Sequence, residues 1–121
     1  MKPIRILIVE DEALEAYSLS KCLNLEGYQV CELASCGGDA LRITEHDQPD
    51  MIVMDVGLTG GLDGIETAHQ IRQFSNVPIL FLTGFVSESL SVQMHQLQPS
   101  QYLVKPARIN EVLSKIHELL V

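Results

Sequence analysis

Residues 49–64 read PDMIVMDVGLTGGLDG, and this stretch decides the fold. Pro49 closes whatever helix precedes it, because the residue before a proline is pushed out of the helical region. Met51 to Asp55 is then apolar in four positions of five before it ends on a carboxylate. So short and continuous an apolar run, bounded by turn residues, reads as a strand covered on both faces. A loop with Gly57, Gly60 and Gly61 follows, and Asp63-Gly-Ile-Glu66 has the form of a capping box opening a helix. The carboxylate is therefore carried to the tip of a core strand and left there.

The same alternation extends in both directions. Arg5 to Val9 is a β-branched apolar run, and Val77 to Leu82 is a further apolar strand, with Pro78 near its start where a missing N–H is tolerated. Tyr102 to Val104 is a last short strand. Tyr28 to Leu33 is strand-like but less apolar, which suits a position near an edge. Helices fill the gaps. Ala16, Leu19 and Leu23 recur at helical spacing over about 13–26, ended by Gly27. Helices are also expected over 38–47, behind Asp63 with Ile65, Ala68 and Ile71 inward, and over 87–97. Ile109, Val112, Leu113, Ile116, Leu119 and Leu120 give a final amphipathic stripe. Five strands alternating with five helices predict an α/β domain, a doubly wound five-stranded parallel sheet with right-handed crossovers.

Composition agrees with one domain over 1–121. Of 121 residues 46 % are apolar and 20 % charged, near the averages of globular proteins. No apolar run approaches the ~20 residues of a membrane span. Sixteen acidic against eight basic residues give a formal charge of −8, which argues against direct nucleic-acid binding. Cys22, Cys31 and Cys36 show no CxxC spacing and are expected as buried thiols in a reducing cytosol. His46, His69, His95 and His117 fall on four different expected helices, the pattern of solvated surface histidines.

In doubly wound sheets ligands bind beyond the carboxyl ends of the strands. Here those ends carry Glu10 and Asp11 after the first strand, Asp55 at the third, Thr83 at the fourth and Lys105 at the fifth. Three converging carboxylates repel, at about 4 kcal/mol for two unit charges ~4 Å apart at an effective dielectric near 20. A hard divalent cation offsets this with oxygen ligands, and Mg²⁺ on one or two carboxylates fits these residue types. Lys105 adds a positive charge and Thr83 a hydroxyl donor. An Asp nucleophile, a cation and a lysine are what phosphoryl transfer requires, and Asp55 is placed to be phosphorylated.

With ILIVEDE, DMIVMD, PILFLT and YLVKP in that order, the chain resembles the response-regulator receiver family of two-component signalling along its whole length. The resemblance implies the flavodoxin-like (βα)₅ fold, with Asp55 as phosphoacceptor. It makes Asp11, Asp55 and the Gly57 carbonyl direct Mg²⁺ ligands, with Glu10 acting through a coordinated water. Thr83 and Lys105 would each hold a phosphoryl oxygen, and the Lys105–Pro106 bond would be cis. Tyr102 would be the switch aromatic, turning inward as Thr83 closes on the phosphoryl group. The implied partner is a histidine kinase or histidine phosphotransfer protein, in the cytoplasm. The implied output surface is the helix near 87–97, the last strand and the last helix, which would also support a phosphorylation-dependent homodimer.

The chain departs from the usual pattern in three places. Glu10 stands where aspartate is commoner, a longer arm that alters metal geometry slightly. The loop after Asp55 reads Val-Gly-Leu-Thr-Gly-Gly-Leu-Asp-Gly, which puts Asp63 one position further on than in the commonest members and looks like a subgroup marker. Gly57 offers no side chain to shade an acyl phosphate whereas Phe85 does, and the two features act in opposite directions on its lifetime.

Three other readings fit less well. The haloacid-dehalogenase-like phosphatase motif D-x-D-x-[TV] matches Asp55-Val-Gly57-Leu-Thr59 except at the second aspartate, and Gly57 cannot donate a proton. A nucleotide-binding domain needs a glycine-rich loop after the first strand, where EDEALEA stands instead. An inactive receiver would normally have lost Asp55, Lys105 or the acidic pair, and all are present.

Overall fold

The alternation of apolar runs and amphipathic segments builds a sheet with a helix after each strand. The computed structural model describes residues 2–121. In order the elements are β1 (Arg5–Val9), α1 (Ala13–Leu25), β2 (Gln29–Ala34), α2 (Gly37–Asp47), β3 (Met51–Asp55), α3 (Gly64–Ile71), β4 (Ile79–Thr83), α4 (Glu88–His95), β5 (Ser100–Val104) and α5 (Ile109–Leu120). All pairings are parallel and the strand order is β2-β1-β3-β4-β5. The less apolar β2 is indeed an edge strand. The order reverses between β1 and β3, and both of these central strands are buried along almost their whole length.

Side chains alternate across a strand, so each central strand feeds two cores. Leu7 and Val9, Ile52 and Met54, and Ile79 and Phe81 face the layer of α2, α3 and α4, where Ile43, Ile71 and Met94 meet them. Ile6 and Ile8, Met51 and Val53, and Leu80 face α1 and α5, against Ala16, Leu23, Val112 and Ile116. Each fully buried Leu, Ile or Phe contributes about 1.5–3 kcal/mol of transfer free energy, so the uninterrupted apolar runs hold the sheet between its layers.

Local signals set the element ends. The Asp63 side chain accepts from the Glu66 amide at 2.8 Å and the Glu66 side chain accepts from the Asp63 amide at 2.9 Å, completing the capping box of α3. Ser87 caps α4 by accepting from the Leu90 amide. Two residues tie down the far end of α4. The Ser100 hydroxyl donates to the Met94 carbonyl at 2.7 Å, and Arg72, at the end of α3, donates to the Leu97 and Pro99 carbonyls at 3.0 Å each. These bonds, with Ser100 buried, explain why β5 starts at Ser100 and not at Tyr102, where apolar character alone begins.

The cysteines correct one expectation. All three are free, but each is half-buried and not sealed in the core. Cys22 sits beside a cleft, and Cys31 lies on the edge strand, where its thiol donates to the Ile6 carbonyl at 3.4 Å. The four histidines are exposed, one on each of α2, α3, α4 and α5. No helix among the described residues is long and apolar enough to cross a membrane.

Candidate functional site

Sheet register decides which strand ends meet. Met54 lies opposite Val9 and Phe81, Asp55 opposite Leu82, and Thr83 opposite Val104. Backbone bonds continue the ladder past the strand ends: the Val56 amide donates to Leu82 at 2.9 Å and the Lys105 amide to Thr83 at 2.7 Å. Glu10, Asp55, Thr83 and Lys105 therefore emerge at nearly one level, beside the point where strand order reverses.

The side chains converge. One oxygen from each of Glu10, Asp11 and Asp55 falls within a set whose members all lie within 4.8 Å of one another. The Lys105 ammonium lies 3.2 Å from Asp55 Oδ1, 3.3 Å from Glu10 Oε1 and 3.8 Å from Glu15 Oε2. Glu10 and Asp55 are 8 % and 7 % exposed, so both carboxylates are largely desolvated. These residues line a cleft of about 470 Å³ that also takes in Leu19 and Cys22 of α1, Pro106, and Val112 of α5.

Burial sets the protonation of the cluster. Loss of water pushes the Glu10 carboxyl up to about 7, against a bond from the Glu12 amide that favours the anion, and the Asp55 charge adds to the rise. For Lys105 burial acts downward, but the bond and charge of Asp55 together with Glu10 outweigh it and hold the ammonium above its ordinary value. The Asp11 carboxyl is lowered, first by the hydroxyl of Thr59. That hydroxyl donates to Asp11 Oδ2 at 2.8 Å, and the Thr59 amide donates to the same oxygen at 3.3 Å.

The other candidate residues have distinct surroundings. The Gly57 amide donates to Asp55 Oδ1 at 3.1 Å, so the turn after β3 grips the carboxylate. Thr83 is buried, and its hydroxyl donates to the Phe85 carbonyl at 2.8 Å. Tyr102 stands outside the carboxylate cluster on β5, opposite Phe81 and 38 % exposed. The Lys105–Pro106 bond is cis, as is Gln98–Pro99. Two neighbours of the cluster, Thr59 and Glu15, went unread as site residues. Thr59 is close only because of how its loop folds, and Glu15 only because the Lys105 side chain reaches the first turn of α1.

The donor set fits a hard divalent cation. It consists of oxygens alone, and a single ammonium faces more than one carboxylate, which leaves negative charge for a cation to offset. Mg²⁺ suits such a partly open carboxylate site, where it keeps coordination positions for other oxygens.

Comparison with known proteins gives one answer. A family model described as "Response regulator receiver domain" matches residues 6–117. Response regulator MprA of Mycolicibacterium vanbaalenii is 39 % identical over 119 residues, which cover 98 % of this chain and 51 % of that protein. Transcriptional regulatory protein PdtaR of Mycobacterium tuberculosis is 36 % identical over 114 residues, covering 94 % and 55 % respectively. The chain thus spans about half the length of these curated relatives. Among solved structures, a CheY-like response regulator receiver domain from Methanospirillum hungatei superposes with a TM-score of 0.89 at 28 % identity, over 98 % of this chain and 94 % of that one.

Proposed function

The chain belongs to the response regulator receiver family, and from that premise we propose that Asp55 accepts a phosphoryl group from a phosphohistidine on a histidine kinase or phosphotransfer protein. The observation that carries this reading is the Lys105 ammonium 3.2 Å from Asp55 Oδ1, within a cluster of three carboxylates at the switch point of the sheet.

The step needs no proton from the protein. An Asp55 carboxylate oxygen attacks phosphorus, the phosphorus–nitrogen bond of the donor breaks, and the bonding pair stays on the ring nitrogen, so that a donor ring protonated at its other nitrogen leaves as neutral imidazole. Asp11, Asp55 and the Gly57 carbonyl would hold Mg²⁺, with Glu10 behind them. When bound, the cation neutralises charge on the transferred oxygens. Lys105 supplies the second positive charge to the same group, and the Gly57 amide orients the Asp55 carboxylate. The domain speeds its own phosphorylation and dephosphorylation and turns over no separate substrate.

The switch follows from what phosphorylation adds: negative charge and strong acceptor oxygens at one point. Thr83 then exchanges the Phe85 carbonyl for a phosphoryl oxygen, the loop between β4 and α4 shifts, and Tyr102 turns inward. Output passes through α4, β5 and α5. Exposed Val92, Tyr102 and Val104 form the apolar part of that surface, which suits a phosphorylation-dependent homodimer. Residues 1–121 act as one receiver unit, in the cytoplasm where phosphohistidine donors work, and contact no nucleic acid directly.

Incubation with a small phosphodonor such as acetyl phosphate and Mg²⁺ should add one phosphoryl mass to the intact domain, read by mass spectrometry. Asp55→Asn should abolish it, and continued uptake by that variant would place the acceptor elsewhere.

A further inference from the structure

The loop after the phosphoacceptor strand is the part of this sequence that the proposed chemistry leaves unexplained. It is long and glycine-rich, yet it is anchored. Leu58 is buried in the core beneath α2 and α3, and the Gly64 amide donates to the Val56 carbonyl at 3.0 Å, closing the loop at its base. Gly60 at φ 74° and Gly61 at φ 144° turn the chain back sharply, in conformations that side chains disfavour. Between the buried Leu58 and this turn stands Thr59. Its hydroxyl and its amide both donate to Asp11, at 2.8 and 3.3 Å, across 48 residues of sequence.

Both bonds end on the same atom, Oδ2, so the loop fixes the Asp11 carboxylate while its Oδ1 takes no bond from Thr59. Asp11 needs such support. Lys105 pairs with Glu10, Glu15 and Asp55, and no cationic side chain of the described residues pairs with Asp11. Partners that hydrogen-bond a ligating carboxylate fix its orientation, and losing one typically costs 10–100-fold in metal affinity.

We infer that Thr59 is a positioning residue for the cation site, holding one oxygen of Asp11 so that the carboxylate is already oriented for a divalent ion. This rests on the reading of Asp11 as a Mg²⁺ ligand. Gly60 and Gly61 are then the turn that aims Thr59, which gives the unusual loop a use.

The test is Mg²⁺ affinity without any phosphodonor, by calorimetry and by amide chemical shifts during titration, for the wild-type chain, Thr59→Val, Thr59→Ser and Asp11→Asn. Thr59→Val keeps the shape and removes the hydroxyl. It should weaken Mg²⁺ binding by about 10-fold, while Thr59→Ser stays within about twofold of wild type by the same reasoning. Thr59 is exposed, so the urea midpoints of the metal-free wild type and Thr59 variants should coincide, and the Thr59 amide resonance of the wild type should move as the ion is added. Equal affinities for wild type and Thr59→Val, with Asp11→Asn weakened, would overturn the role of Thr59 alone. A wild-type domain whose Mg²⁺ affinity equals that of Asp11→Asn would overturn the underlying assignment of Asp11 and the inference with it.

Discussion

The Thr83 hydroxyl donates to the carbonyl of Phe85, two residues further on, at 2.8 Å. Its one proton is therefore committed to its own loop and not to Asp55, while Tyr102 on the neighbouring strand is 38 % exposed. In the switch proposed above, these would be the resting positions of the two residues. Addition of beryllofluoride and Mg²⁺ should break this bond, with the largest shifts at the amides of Phe85 and Val86 and reduced solvent access for Tyr102. In Thr83→Ala the domain should still take up the analogue, while the Tyr102 change is lost. Full Tyr102 movement in that variant would show that the aromatic is not driven through Thr83.

Lys105 faces Asp55 and Glu10 at nearly equal distances, 3.2 and 3.3 Å. Replacing it by Met leaves two desolvated carboxylates facing each other and removes a charge that would stabilise the transferred group. Loss of one such electrostatic contact costs about 10²–10³ in rate, and the initial rate of phosphoryl uptake with a small donor should fall by that order. Stability should change less, because the Lys105 side chain is 29 % exposed and its pairing is partly screened.

The Glu10 carboxyl, pushed up to about 7 by burial, makes stability and metal binding depend on pH in opposite directions. Between its ordinary value of 4.5 and about 7, the folded chain holds a proton that the unfolded chain has released. The contribution of Glu10 to the stability of the metal-free domain should therefore be fully present below 4.5, fall as pH rises through that window, and level off above about 7. Urea unfolding in a chelator at several pH values reads this directly, and Glu10→Gln should flatten the slope. Mg²⁺ affinity should rise over the same window, since a bound cation requires the deprotonated cluster.

The strand ends were legible because the chemistry is written next to unmistakable apolar runs. ILIV before Glu10, MIVM before Asp55 and ILFL before Thr83 fix both the strand and the residue at its tip. Parallel register then brings the tips together with no further information. What a strand-by-strand reading misses depends on paths between elements. The Thr59–Asp11 bonds depend on the backbone angles of the following glycines, and the Arg72 bonds depend on where α4 ends. The cysteines were expected deeper because their neighbours in sequence are apolar. Burial is set by layers in space: Cys31 lies on an edge strand, and Cys22 faces the cleft between α1 and α5.

Two glycines near Asp55 predict opposite outcomes from the same substitution. A Cβ at Gly64 would collide with the Asp55 carbonyl oxygen and come within 2.8 Å of Val56 Cα, both of them backbone atoms that cannot swing aside. A Cβ at Gly57 would meet only Asp55 Oδ1, at 3.7 Å, an ordinary contact. The first turn of α3 thus packs directly on the end of β3, and the glycine there is needed for that approach. Gly64→Ala should cost about 1–3 kcal/mol, the usual range for forced overpacking, and should displace the Asp55 backbone enough to slow phosphoryl uptake. Gly57→Ala should leave the urea midpoint close to wild type and keep Asp55 competent. If Gly64→Ala proved as stable and as readily phosphorylated as Gly57→Ala, the close seating of α3 on β3 would not be what fixes the position of Asp55.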